Sequence, residues 1–105
     1  MNIVLTGFMA TGKTKISRRL AELTGYELID TDTAVEAEAG MSINDIFEKY
    51  GEEHFRELEA AAVKKAAQAD RTVISTGGGT VLRSENIEEL RKNGVIVNLA
   101  PDFEV

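Results

Sequence analysis

Apolar residues fall along this chain in four short runs separated by longer stretches of helical spacing. The runs lie at 2–6, 27–30, 72–75 and 95–99. Three of them hold adjacent apolar residues, Ile3-Val4-Leu5, Val73-Ile74 and Val95-Ile96-Val97, instead of strict alternation. Continuous apolar runs predict strands buried on both faces, as in a parallel sheet covered by helices. Between the runs, Ile16, Leu20 and Leu23 share one helical face, and Gly25 follows as a stop. Ile43, Ile46, Phe47 and Tyr50 form a second stripe, with Phe47 and Tyr50 expected in the core. Ser42 with Asp45 three residues later resembles a capping box at its start. A third helix is predicted after Gly51, with Glu52 and Glu53 in its first turn and Phe55, Leu58 and Ala62 facing inward. A fourth is predicted over 84–93, with Ile87 and Leu90 inward, Glu88 paired with Lys92 outward, and Gly94 as its stop. The resulting order, β-α-β-α-α-β-α-β, predicts an α/β domain with right-handed crossovers and a parallel sheet.

Composition narrows the partners. The 105 residues are 43% hydrophobic, which suits one domain over 1–105 with one core. Acidic residues outnumber basic ones, 18 to 12, for a net charge of −6. Such a surface repels nucleic acid and anionic lipid, so neither is expected as a partner. A phosphate ligand would have to be held by a local positive site. The absence of cysteine excludes disulfides, thiolate metal sites and a cysteine nucleophile, and the lone His54 cannot form a histidine metal cluster. Lys13 interrupts the N-terminal apolar stretch and no basic segment precedes it, unlike a signal peptide. No apolar run approaches the length of a membrane span, so the expected compartment is the cytoplasm.

The most specific local pattern is Gly7-Phe8-Met9-Ala10-Thr11-Gly12-Lys13-Thr14, which matches G-x-x-x-x-G-K-[ST]. Its glycines let backbone N–H groups curl around phosphate oxygens where bulkier residues would block them. A helix beginning near Gly12 would point its positive end at the anion. Lys13 adds a mobile positive charge near the terminal phosphates, and Thr14 offers a hydroxyl to Mg²⁺. A strand before the motif and an amphipathic helix after it supply the context that a chance glycine turn lacks.

Three further features lie where ligands of open α/β sheets bind, beyond the carboxyl ends of strands. Asp30-Thr31-Asp32 closes the second run. One carboxylate could hold Mg²⁺ and the other could take the proton of an attacking hydroxyl. Equally, both could be solvated turn residues, or Asp32 could cap a helix starting at Thr33. Thr76-Gly77-Gly78-Gly79 follows the third run, either as a ligand floor or as a flexible loop. Arg56, beside Phe55 and three residues before Glu59, could pair with a ligand carboxylate or with a neighbouring Glu on the surface.

Taken together, these motifs resemble the shikimate kinases. The resemblance rests on GFMATGKT, the Asp30-x-Asp32 pair, Gly40-Met41-Ser42-Ile43 with Ile46-Phe47, Tyr50-Gly51-Glu52, Phe55-Arg56-x-x-Glu59 and Val73-Ile74-Ser75-Thr76-Gly77-Gly78-Gly79. It spans essentially the whole chain, and the combination is far more specific than the phosphate loop alone. It implies a P-loop fold with a sheet of about four strands in the order 2-3-1-4 and helices on both faces. It implies ATP-dependent phosphorylation of the shikimate 3-hydroxyl, in aromatic amino-acid biosynthesis, with Mg²⁺. Gly7, Ala10, Thr11, Gly12 and Lys13 would hold ATP phosphates, and Thr14 would ligate the metal with support from Asp30. Asp32 would bind shikimate hydroxyls and act as base, Arg56 would pair with the shikimate carboxylate, and Gly77, Gly78 and Gly79 would floor the pocket that Glu59 orders.

The chain departs from that family at its end. Shikimate kinases continue into a lid that supplies an arginine to the transferring phosphate, then a further strand and helix. Those positions have no counterpart here. Within the match, Ala10 stands where many relatives have glycine, and Thr14-Lys15 replaces the usual Ser-Thr. The expectation is therefore an enzyme of this family or the N-terminal part of one. The competing expectations are a truncated domain that binds nucleotide with weak or no transfer, or a homodimer formed through the edge of the fourth strand. Gluconate, another small hydroxy acid, is the alternative acceptor.

Overall fold

The structure is a computed structural model. It describes the backbone of residues 1–7, 10–77, 80 and 83–99, and their side chains except at 10–14, 98 and 99. Its elements are β1 (Asn2–Gly7), α1 (Ala10–Thr24), β2 (Glu27–Asp30), α2 (Thr31–Ala39), α3 (Ile43–Ala67), β3 (Thr72–Ser75), α4 (Ser84–Arg91) and β4 (Gly94–Leu99). The four strands form one parallel sheet in the order β2-β3-β1-β4.

The central strands are buried as their apolar runs predict. Every residue of β3 is buried, and Val4 and Leu5 of β1 are sealed from solvent. Val4 and Ile74, paired in register, meet Val63, Ala66 and Ala67 of α3 and Leu90 of α4 on one face. The helix α1 packs on β3, β1 and β2 over the other. A second cluster forms away from the sheet, where Val35 of α2 packs on Ile46 and Phe55 of α3.

The edge strand β4 departs from the expectation of burial on both faces. Ile96 packs on the core, but Val95 and Val97 are 51% and 40% exposed. Alternation turns them toward the face where α1 covers β1, β2 and β3 instead. Leu23, expected inward, is likewise exposed at the end of α1.

The helices between β2 and β3 also differ from the reading of the sequence. A helix over Thr31–Ala39 was not predicted except as the alternative role for Asp32. Its Ala/Glu alternation carries no apolar stripe, and only Thr31 and Val35 are buried. The two helices predicted either side of Gly51 run on as one element, kinked where Gly51 adopts φ 87° and ψ 172°, a conformation open to glycine and to almost nothing else. Asp45 N–H donates to Ser42 Oγ at 3.2 Å, as the capping pattern predicts. Tyr50 and Phe47 are not core. Both lie in the turn before the kink, where Tyr50 is 57% exposed and stacks on His54, and Phe47 leans on buried Phe55. The helix α4 ends at Arg91 and Gly94 opens β4. Lys92 pairs with Glu89, one residue nearer than the expected Glu88.

Candidate functional site

Parallel strands end together, so the chemistry on the loops that follow them collects along one edge. Here the register sets Asp30 opposite Ser75 and Ser75 opposite Leu5. With about 4.8 Å between neighbouring strands, the three exits span roughly 10 Å. The phosphate-loop motif leaves β1, the paired aspartates leave β2, and the glycine run leaves β3.

The helix α1 begins at Ala10, two residues earlier than expected. Its first-turn N–H groups lack partners within the helix and carry the positive end of the dipole. The side chains of Ala10, Thr11, Lys13 and Thr14 lie outside the described residues, as do Phe8 and Met9. One fastening of this region is described. Thr76 donates both its N–H and its Oγ1 to Leu5 O, at 3.0 and 3.1 Å. The glycine run is thereby tied to the strand that feeds the phosphate loop.

The two aspartates take different positions. Asp30 is the N-cap of α2, its Oδ1 accepting from Asp32 N–H at 2.9 Å and Thr33 N–H at 3.2 Å. Capping thus falls to Asp30 and not to Asp32, because the helix starts at Thr31. Asp32, in the first turn of α2, sits against the loop after β3. A Cβ placed on Gly77 would come within 2.7 Å of Asp32 Oδ1 and 3.1 Å of Oδ2. Gly77 therefore has to be glycine for the carboxylate to lie where it does. Gly78 and Gly79 fall outside the described residues.

Arg56 reaches the same loop through a buried carboxylate. Its Nη1 donates to Glu59 Oε1 at 3.0 Å, and its Nη2 lies 3.7 Å from Glu52. Glu59 is only 2% exposed, and its Oε2 accepts from Thr80 Oγ1 at 3.1 Å. The neighbouring-Glu pairing weighed for Arg56 is present, but its partner is buried and bonded onward. A surface ion pair is solvated and loosely oriented, whereas this guanidinium is mounted on α3 and braced from the loop after β3. The structure thus gathers Asp32, Gly77 and, through Glu59 and Thr80, Arg56 around one turn, in which Thr80 N–H closes on Gly77 O at 3.2 Å. An apolar cavity of about 540 Å³ between α2, α3 and β2, lined by Ile29, Val35, Leu58 and four alanines, includes none of these residues.

Sequence reasoning missed Thr80 and Thr31. Thr80 has no signal beyond following a glycine run. Thr31, between the two aspartates, is fully buried, with its Oγ1 lacking a hydrogen-bond partner among the described residues. Its place inside the D-x-D pattern hides it, because the pattern draws the eye to the charges.

Comparison with known proteins follows the same lines. The family model described as shikimate kinase matches residues 9–105. A curated shikimate kinase from Thermoanaerobacter pseudethanolicus is 57% identical over 96 residues, covering 91% of this chain and 56% of its own length. The solved shikimate kinase from Acinetobacter baumannii, in complex with shikimate, superposes with a TM-score of 0.89 at 41% identity, over 93% of this chain and 55% of that one. A gluconokinase from Sinorhizobium meliloti 1021 shares the fold at a TM-score of 0.59 and 18% identity. The chain spans a little over half the length of the relatives it matches. With the family model covering residues 9–105, relatives 57% identical and the same sheet order, the chain belongs to the shikimate kinase family.

Proposed function

We propose that the protein carrying this chain transfers the γ-phosphoryl group of ATP to the 3-hydroxyl of shikimate. The observation that carries this reading is the meeting of Asp32, Gly77 and the Arg56–Glu59–Thr80 chain at one turn after β3, which Thr76 ties to Leu5 of β1. A hydroxy acid offers two handles, a carboxylate and hydroxyls. Arg56 suits the first, through paired N–H donors. Asp32 suits the second, accepting from a hydroxyl and taking its proton as the oxygen attacks. Gly77, with Gly78 and Gly79, would bring backbone close to the acceptor ring.

On the donor side, Gly7, Ala10, Thr11, Gly12 and Lys13 would cradle the phosphates. The donor set for Mg²⁺ is Thr14 and Asp30, both hard oxygen ligands. Among the described residues no cluster of three or more metal-binding side chains occurs. Mg²⁺ is commonly held by one or two carboxylates together with phosphate and water. Asp30 is already oriented by its cap bonds to α2. When bound, the metal would offset negative charge on the β- and γ-phosphates, while positioning by Arg56 and Asp32 sets the line of attack. We place this reaction in the cytoplasm. No helix among the described residues is long and apolar enough to cross a membrane.

The test is ADP release with Mg·ATP and either shikimate or gluconate. The expected result is shikimate-dependent turnover that falls by about a hundredfold or more in Lys13→Ala. Turnover with gluconate alone would overturn the choice of acceptor. A second reading has one specific observation behind it. Among the described residues β4 pairs only with β1, and Val95 and Val97 are exposed, which favours pairing with the same strand of a second copy. Sedimentation at high concentration checks it, and a clean monomer would exclude it.

A further inference from the structure

We infer that Asn86, on α4, is a positioning residue for the acceptor carboxylate, acting through Thr80 and Glu59 on Arg56. The inference deepens the function proposed above and rests on it for the role of Arg56. Asn86 is buried, and its Nδ2 donates to Thr80 O at 3.1 Å. Thr80 is fully buried and passes the constraint on through Oγ1 to Glu59 Oε2 at 3.1 Å. Glu59 Oε1 in turn holds Arg56 Nη1 at 3.0 Å. One chain of bonds therefore runs from α4 through the loop after β3 to α3.

What Asn86 does not do makes the case sharper. An asparagine in the first turn of a helix ordinarily serves that helix's own backbone. The start of α4 has no side-chain cap at Arg83, yet the Asn86 amide reaches back six residues to the loop. Nor is Asn86 needed to dock α4. Leu90 is in the core, and Arg83 lies 3.6 Å from Glu57 of α3. Its buried donor is spent on the carbonyl of the residue that grips Glu59. In a dry network of this kind each bond is strong and each loss is felt by its neighbours.

Two variants break the chain at different links. Asn86→Asp keeps the shape and suits a helix start, but it presents an acceptor to Thr80 O. Thr80→Val keeps the shape and removes the bond to Glu59. Each is expected to weaken shikimate binding, measured by calorimetry, about tenfold. The double variant should be little worse than either single one, because both act on one path, and ATP binding should stay within about twofold of wild type. A readout independent of any ligand is the guanidinium NMR signal of Arg56 in the free protein. Rotation should be slow in wild type and faster in both variants. Should Asn86→Asp fail to fold, Asn86→Ala is read the same way. A wild type that ignores shikimate would remove the proposed function, while the Arg56 signal would still decide the coupling. An unchanged Arg56 signal in folded variants would overturn the inference.

Discussion

The two ends of the sheet are both rich in polar side chains, but they use them differently. At the amino end, Asn2 is buried as deeply as Glu59. Its Oδ1 accepts from Thr72 N–H and its Nδ2 donates to Ala69 O, both at 3.0 Å. Asn93 Nδ2 donates to Ala69 O at 3.1 Å and to Asp70 at 3.3 Å, and the Met1 ammonium meets Asp70 at 2.5 Å. Each bond there joins the chain start or one connecting loop to another. At the carboxyl end, opposite charges from α2 and α3 are brought to a turn where a glycine has been left bare. Burial of polar groups therefore does not mark a site by itself. What differs at the carboxyl end is that charged groups of both signs, from α2 and α3, are braced against one turn after β3.

The largest effect that would test this contrast comes from displacing the Asp32 carboxylate from that turn. Gly77→Ala adds a Cβ about where Asp32 Oδ1 now lies. Gly77 is not among the glycines with positive φ, so the backbone tolerates alanine. The obstacle is the far end of a side chain that can swing away, so stability should hardly change. The carboxylate, however, would leave its position. Misplacement of a reacting group by an ångström or so costs about a hundredfold. The expected outcome is a kcat/KM for shikimate lowered by about that factor, an unchanged KM for ATP and an unchanged melting temperature. A variant with normal acceptor kinetics would show that Asp32 need not stand at Gly77, and the site as drawn would lose its centre.

Much of this architecture was legible from the chain, for definite reasons. The strands were readable because Val4-Leu5 and Val73-Ile74 are buried on both faces and so show as continuous runs. The exception, Val95 and Val97, shows the limit of that rule. An apolar run reports what a strand prefers, and the neighbouring elements decide what it receives. The helix α2 was unreadable because its packing rests mainly on Val35. Among the site residues, Asp30, Asp32, Arg56 and Gly77 could be named from spacing and from the family pattern. Which aspartate caps α2 could not, since it depends on where α2 starts. Thr80 and Asn86 were invisible for a related reason. Their importance lies in bonds between segments that only the fold brings together.

A middle-sized effect is expected at the opposite end. Asn2→Ala removes the acceptor of the Thr72 N–H and the donor to Ala69 O. A buried N–H left unpaired costs about 2 kcal/mol. Chemical denaturation should register that loss of stability, with KM for both substrates unchanged. A change in acceptor KM would mean that the two ends communicate, and the contrast between them would have to be redrawn.

The smallest expected effect concerns Asp70, and its interest is in its pH dependence. The carboxyl is held below its usual 3.8, first by its hydrogen bond with the Met1 ammonium and then by that with Asn93. A carboxylate whose pKa is lower in the folded protein than in the unfolded chain stabilises the fold above the unfolded value. That contribution disappears as pH falls through the folded value. Asp70→Asn should therefore lower the melting temperature slightly near neutral pH, and the gap to wild type should narrow below 3.8. Both partners are exposed, so salt should shrink the gap as well. A gap that persisted unchanged into strong acid would show that the charge on Asp70 is not what ties the chain start to this loop, and that the bonds of Asn2 and Asn93 hold this end without it.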